Sequence, residues 1–192
     1  MKKLLPLALL AFALMPAMAA PPPIPAPKVV VLDRVAILQA SKVGRDIARQ
    51  LQALNAQTKT NFEAQQKSLA AESQQLRQQV AIMAADQRQK KEDAFNAKVQ
   101  GVEEAVQRRA AQIQQASQVS SQVVAQALGP IVEAIVKERG ANLVLDKQAV
   151  IYSSSSAFDI TPDAVARLDA KMPSYKVVLG AKPPAAPGAP QQ

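Results

Sequence analysis

From residue 41 to residue 138 the apolar positions recur at helical spacing. Val43, Ile47, Leu51, Leu54, Phe62, Leu69, Leu76, Val80 and Met83 keep to one face of a single outgoing helix. With Thr58, Gln65 and Ser73 filling the gaps, the steps run four, four, three, an eleven-residue period that favours a nearly straight or slightly right-handed coil. The whole stretch holds no proline before Pro130 and only Gly44, Gly101 and Gly129 as glycines. Nothing along the outward run breaks a helix.

The pattern stops at Ala84 and Ala85. Asp86, with Gln89 three residues on, reads as a capping box that opens a second helix. Its seam runs through Phe95, Val99, Val102, Val106, Ile113, Ala116, Val123 and Ala127, with Arg109 and Ser120 as polar interruptions. So short a turn makes the two helices antiparallel. Matched from the tip, Leu76 faces Phe95, Leu69 faces Val102 and Ile47 faces Val123. About 44 residues at ~1.5 Å each give an arm roughly 65 Å long, far more than a compact domain of this size needs. A folded-back four-helix bundle is the alternative, with Gly101 as its only candidate breaker.

The flanks change period. Residues 28–33 hold the unbroken run Val29, Val30, Val31, Leu32, a strand buried on both faces. Residues 35–40 then turn toward the first helix. Lys137 and Arg139 suit the last turn of the returning helix, and Gly140 suits its cap. Residues 142–145 and 149–152 read as a β-hairpin. Thr161 is the expected cap of a short helix with Pro162 at its first position and Val165, Leu168 and Met172 on one face, before Pro173 stops it. Residues 175–179 are a last candidate strand. Together residues 28–40 and 140–179 make about 53 residues, near the lower limit for an independent core. Strands apolar on both faces in so small a body predict an obligate oligomer, with Val29, Val31, Val144 and Ile151 as oligomerisation residues.

Composition adds an export signal. Lys2 and Lys3, the apolar run at 4–15 and Ala17-Met18-Ala19 form a signal peptide over residues 1–19, too short in its apolar part to be a membrane anchor. Prolines fill a linker at 20–27 and a tail at 180–192, both expected to be disordered. Removing Lys2 and Lys3 takes the 23 basic residues to 21 against 15 acidic ones, a net +6. That charge suits anionic partners such as lipid headgroups, lipopolysaccharide or acidic polypeptides, and export argues against nucleic acid.

No cysteine and no histidine occur. Disulfides, a lipid-bearing cysteine, the commonest general base and most zinc sites are thereby removed, and no glycine has a phosphate-cradling spacing. The Ser153–Ser156 run lacks a base partner and reads as a loop. An enzyme is not expected, nor a metal or cofactor.

Residues 29–51, VVVLDRVAILQASKVGRDIARQL, resemble the entry of the OmpH/Skp family of periplasmic chaperones: a strand ending in Asp33, then Ser41 and Gly44 opening an arm. Residues 141–172 are similar to that family's end, with Val144-Leu145-Asp146, an apolar strand ending in Tyr152, and Asp159-Ile160-Thr161 before a short helix. The serine run and the tail beyond Pro173 depart from the pattern. The resemblance implies a homotrimer with a small β body and three helical arms around a cavity, and an ATP-independent holdase that keeps unfolded outer-membrane proteins soluble.

The expected fold class is therefore α+β and helix-dominated, with a hairpin arm over residues 41–139. Client-binding candidates are Phe62, Leu69, Ile82, Met83 and Phe95. All but Ile82 also lie on the seam or close it, where they serve as arm core. Arg77, Arg88, Lys90, Lys91 and Lys98 near the tip are candidates for anionic surfaces, or simply a solvated helix face. Gly129 and Pro130 mark a candidate hinge. The rival readings are a structural coiled-coil protein of the envelope and a basic protein that binds anionic surfaces.

Overall fold

The computed structural model describes residues 25–183. The leader, most of the proline-rich linker and the tail beyond residue 183 lie outside the described residues. The chain runs β1 (Val29–Leu32), α1 (Arg34–Ala40), α2 (Lys42–Val80), α3 (Ala85–Arg139), β2 (Leu143–Asp146) and α4 (Thr161–Lys171).

The arm forms as the periodicity predicts. α2 has 39 residues and α3 has 55. At ~1.5 Å per residue α2 is about 58 Å long. Its start is set by Ser41, which also ends α1: the Ser41 N–H donates to Ile37 O at 2.9 Å, and its Oγ accepts from Gly44 N–H at 3.1 Å. The chain turns so tightly there that a Cβ on Gly44 would lie 1.8 Å from the Leu38 carbonyl oxygen. Only glycine fits that approach.

At the tip the break falls where the pattern stops, but the cap differs. Ala84, not Asp86, occupies the N-cap position, and no side chain caps α3. Asp86 sits inside the first turn, where its charge still favours the helix N-terminus. Gln89 does not reach back; its amide donates forward to Asp93 Oδ1 at 3.0 Å. The register follows the prediction. Lys98 Nζ pairs with Glu72 at 2.7 Å, and Lys91 Nζ donates to Gln79 Oε1 at 3.3 Å, so Leu76 and Phe95 line the same groove.

Burial is confined to the base. Val30 and Leu32, Ile37, Val43 and Ile47, α3 from Ala116 to Ile135, Ala164 and Leu168 form one core, while the seam from Thr58 to Val106 is at most half-buried. Two helices alone cannot enclose a side chain. Near the base the buried face of α3 turns by one residue: Val124 and Leu128 are buried where Val123 and Ala127 were expected, because α4 packs there as well and Ile37 of α1 joins the same core. This apolar stretch makes α3 the one described helix long and apolar enough to cross a membrane. Pro130 lies within α3, and the helix continues through it to Gly140, whose left-handed φ of 60° ends it as expected.

The β part is smaller than the sequence suggests. Residues 34–40 are helical, capped by Asp33, whose carboxylate accepts from Ala36 N–H at 2.8 Å. β1 and β2 pair in parallel, Val29 with Leu143 through Leu32 with Asp146. The expected hairpin strand at 149–152 is absent: residues Lys147–Ala149 form a 3₁₀ turn, and Ile151 and Tyr152 stand in solvent. The other edge of β1 is met at one point by Asp159, opposite Val31, and residues 149–152 do not pair with the open edge of β2. Thr161 is the first residue of α4 rather than its cap. Its N–H donates to Asp159 Oδ1 at 2.9 Å, and its hydroxyl accepts from Asp33 N–H at 2.9 Å, tying α4 to the start of α1. Residues 175–179 are extended but pair with no strand.

Candidate functional site

Two surfaces gather the residues that carry chemistry. The first is the distal arm. Phe62, Leu69, Met83 and Phe95 are half-buried along the seam, whereas Ile82 at the tip is 89% exposed. Between the helices below the tip runs a groove of about 540 Å³, with Leu76 and Phe95 beside Glu72, Lys91 and Lys98. The five basic candidates are all exposed. Lys98 is held by Glu72, Lys91 by Gln79, and the Arg88 guanidinium donates to Met83 O at 3.4 Å. Arg77 and Lys90 have no side-chain partner among the described residues. Three of the five, Lys91, Lys98 and Arg88, thus flank the groove or the turn above it, and an extended apolar segment with acidic flanks is the chemistry such a surface can hold.

The second surface is the base. β2 leaves its outer edge open, and Leu143, Val144 and Leu145 are exposed. Beyond it Ile151 is 104% exposed and Tyr152 82%. Of the predicted oligomerisation residues, Val144 and Ile151 belong to this open surface. Val31 is buried within its own chain and Val29 is half-buried. On the adjoining side an apolar groove follows α1, from Val35 past Leu38 to Leu51, with Ser121 of α3 on its other wall. Sequence periodicity could not find it, because residues 35–40 were read as a turn and Leu38 as part of none of the faces.

Charges at the base serve geometry. The Gln148 backbone N–H and then the Arg34 guanidinium hold Asp146 below the ordinary aspartate range. Arg49, the largest influence on Asp46, lowers that carboxyl too, together with the Tyr175 backbone N–H and Gln50. Among the described residues no group of acidic side chains could hold a metal ion.

The family model for Outer membrane protein (OmpH-like) matches residues 28–168. The chain belongs to the OmpH-like family. The match covers both strands, the whole arm and most of α4. This OmpH-like chain also shares its fold with a solved structure, a candidate outer membrane chaperone (OmpH-like) from Caulobacter crescentus CB15. The TM-score is 0.73 at 21% identity, over 83% of this chain and 94% of the other. No curated protein matches.

Proposed function

We propose that this OmpH-like chain is an ATP-independent holdase of the periplasm, which binds unfolded outer-membrane proteins between helical arms and keeps them from aggregating. The observation that carries this reading is the arm itself: a long hairpin with half-buried apolar side chains along its seam and no enclosing core. Many shallow, adaptable contacts suit a partner without fixed shape better than one deep pocket does. Export rests on the signal peptide read at residues 1–19, and the homotrimer on the family resemblance together with the open apolar surface at Val144 and Ile151. Gly129 and Pro130 serve as the hinge at the arm's base, and ring closure without an N–H weakens the helix there.

The test is light scattering from a denatured outer-membrane barrel protein diluted into buffer with the mature chain and no nucleotide. Suppressed aggregation at about one trimer per client is the expected outcome. Undiminished scattering in the presence of a well-folded oligomer would turn the reading toward a structural coiled-coil protein of the envelope. A second reading, binding to lipopolysaccharide or anionic lipid, is favoured by the unpartnered Arg77 and Lys90 near the tip. It requires sedimentation with anionic vesicles that falls steeply with salt, and the charges would set capture rate more than residence time.

A further inference from the structure

Between α4 and residue 183 the chain does not leave the fold. Pro173 stops the helix, and the next residues lie as an extended strap along the base of the arm. Their burial alternates as a strand's does: Tyr175 and Leu179 are half-buried and Val177 is 9% exposed, while Lys176 and Val178 face solvent. Yet no strand pairs with them. The partner is one face of α2, where Asp46 and Gln50 stand one turn apart. After Arg49, the nearby Tyr175 backbone N–H helps hold the Asp46 carboxyl below the ordinary aspartate range. Gln50 Nε2 donates to Tyr175 O at 2.7 Å, and Gln50 Oε1 accepts from Val177 N–H at 2.9 Å. Further along, Gln115 Nε2 on α3 donates to Ala181 O at 3.3 Å.

Every one of these polar contacts from the arm is to the strap's backbone. What α2 and α3 read is an extended chain, and the side chains are selected only by the apolar ground under Tyr175, Val177 and Leu179. Backbone hydrogen bonds for affinity with alternate side chains for selectivity is the logic of strand addition, with the helix-borne amides of Gln50 and Gln115 here in place of a sheet edge. The strap lies outside the residues that the family model matches, whereas Asp46 and Gln50 lie within them.

We propose that the Asp46–Gln50 face is a binding slot for extended segments with apolar residues at every second position, and that the C-terminal strap fills it in cis. This rests on the holdase reading for the class of partner. An unfolded barrel strand, whose lipid-facing residues alternate in the same way, has the chemistry the slot accepts. The tethered strap competes at an effective concentration of about millimolar, so the slot opens only to clients that present several such segments or when the strap is loosened.

The experiment uses the full chain and a fluorescent peptide of residues 174–181 as probe, read by anisotropy. Val177→Ser loosens the strap without touching the slot. Tyr175→Pro, which deletes the backbone N–H beside Asp46, does so by a second route should the first variant lose its helical circular dichroism. Each is expected to bind the peptide ~10-fold tighter than the wild-type chain, the cis competitor being weakened. Adding Gln50→Ala is expected to abolish the gain. Equal affinity in wild type and both variants, or no binding by any of them, overturns the slot. Scattering assays on the same proteins separate the two readings. Peptide binding without suppression of aggregation leaves the slot standing and removes the holdase, and the converse removes the slot alone.

Discussion

At the scale of single residues, two of the three arm glycines, Gly44 and Gly101, have opposite roles. Gly101 lies mid-helix with open space where a Cβ would be. Replacing it by alanine removes backbone entropy from the unfolded chain, and Gly101→Ala is expected to stabilise by about 0.5–1 kcal/mol. Its position was a candidate breaker in the sequence, but α3 runs through it. Gly44 is also helical, so propensity alone gives the same sign. The 1.8 Å approach to Leu38 O reverses it, because backbone cannot move aside as a flexible side chain would. Gly44→Ala is expected to destabilise by more than ~3 kcal/mol, in the range of severe core disruptions. Thermal melts of the two variants beside wild type decide it, and a Gly44→Ala protein melting at or above the wild-type temperature would refute the close turn at Ser41.

At the scale of elements, the helices were legible because a period repeated over many turns averages out individual exceptions such as Gln65, which is exposed despite its seam position. The short segments were not legible. Residues 149–152 and 175–179 carry strand chemistry, yet neither pairs with a strand: a 3₁₀ turn at Lys147–Ala149 follows β2 directly, and Tyr175 and Val177 bond Gln50 of α2 instead. In the candidate site, exposure of Ile82 and of the basic tip residues followed from their position off the seam. The pairing of Lys98 with Glu72 agrees with the register matched from the tip, but which exposed charges meet across it depends on side-chain reach that periodicity does not encode. The arm residues therefore divide by what they touch. Phe95→Ala removes half-buried seam packing and is expected to cost about 1–2 kcal/mol, below the ~3–5 of a fully buried phenylalanine. Ile82→Ser touches no core and is expected to change stability by less than ~0.5 kcal/mol while weakening suppression of client aggregation. Melts and scattering on both proteins test the division. An Ile82→Ser chain that protects clients as well as wild type removes Ile82 from the contact surface.

At the scale of the whole molecule, one chain is an incomplete body. Its core lies at the base, but the sheet there has two strands, and an isolated two-stranded sheet is marginal in water. The β2 edge offers unpaired backbone donors and acceptors beside exposed Leu143, Val144 and Leu145, and the following loop holds Ile151 and Tyr152 in solvent. Such an open apolar edge invites pairing with another chain. The self-association proposed above would cover it, each contact in a ring of three copies joining two different patches. Placing a carboxylate on both sides of that contact tests this directly, because a charge buried without a partner is far costlier than the same charge in water. In sedimentation equilibrium the mature wild-type chain is expected at the mass of an oligomer, three copies on the family resemblance. Val144→Asp with Ile151→Asp is expected to shift it to the monomer at the same concentration, with the helical signal of the arm retained. Because neither side chain is buried in its own chain, loss of folding is not the expected route to a changed mass. A monomeric wild type, or a double variant that keeps the full oligomeric mass, would mean that the exposed β2 edge is covered by something other than a second copy.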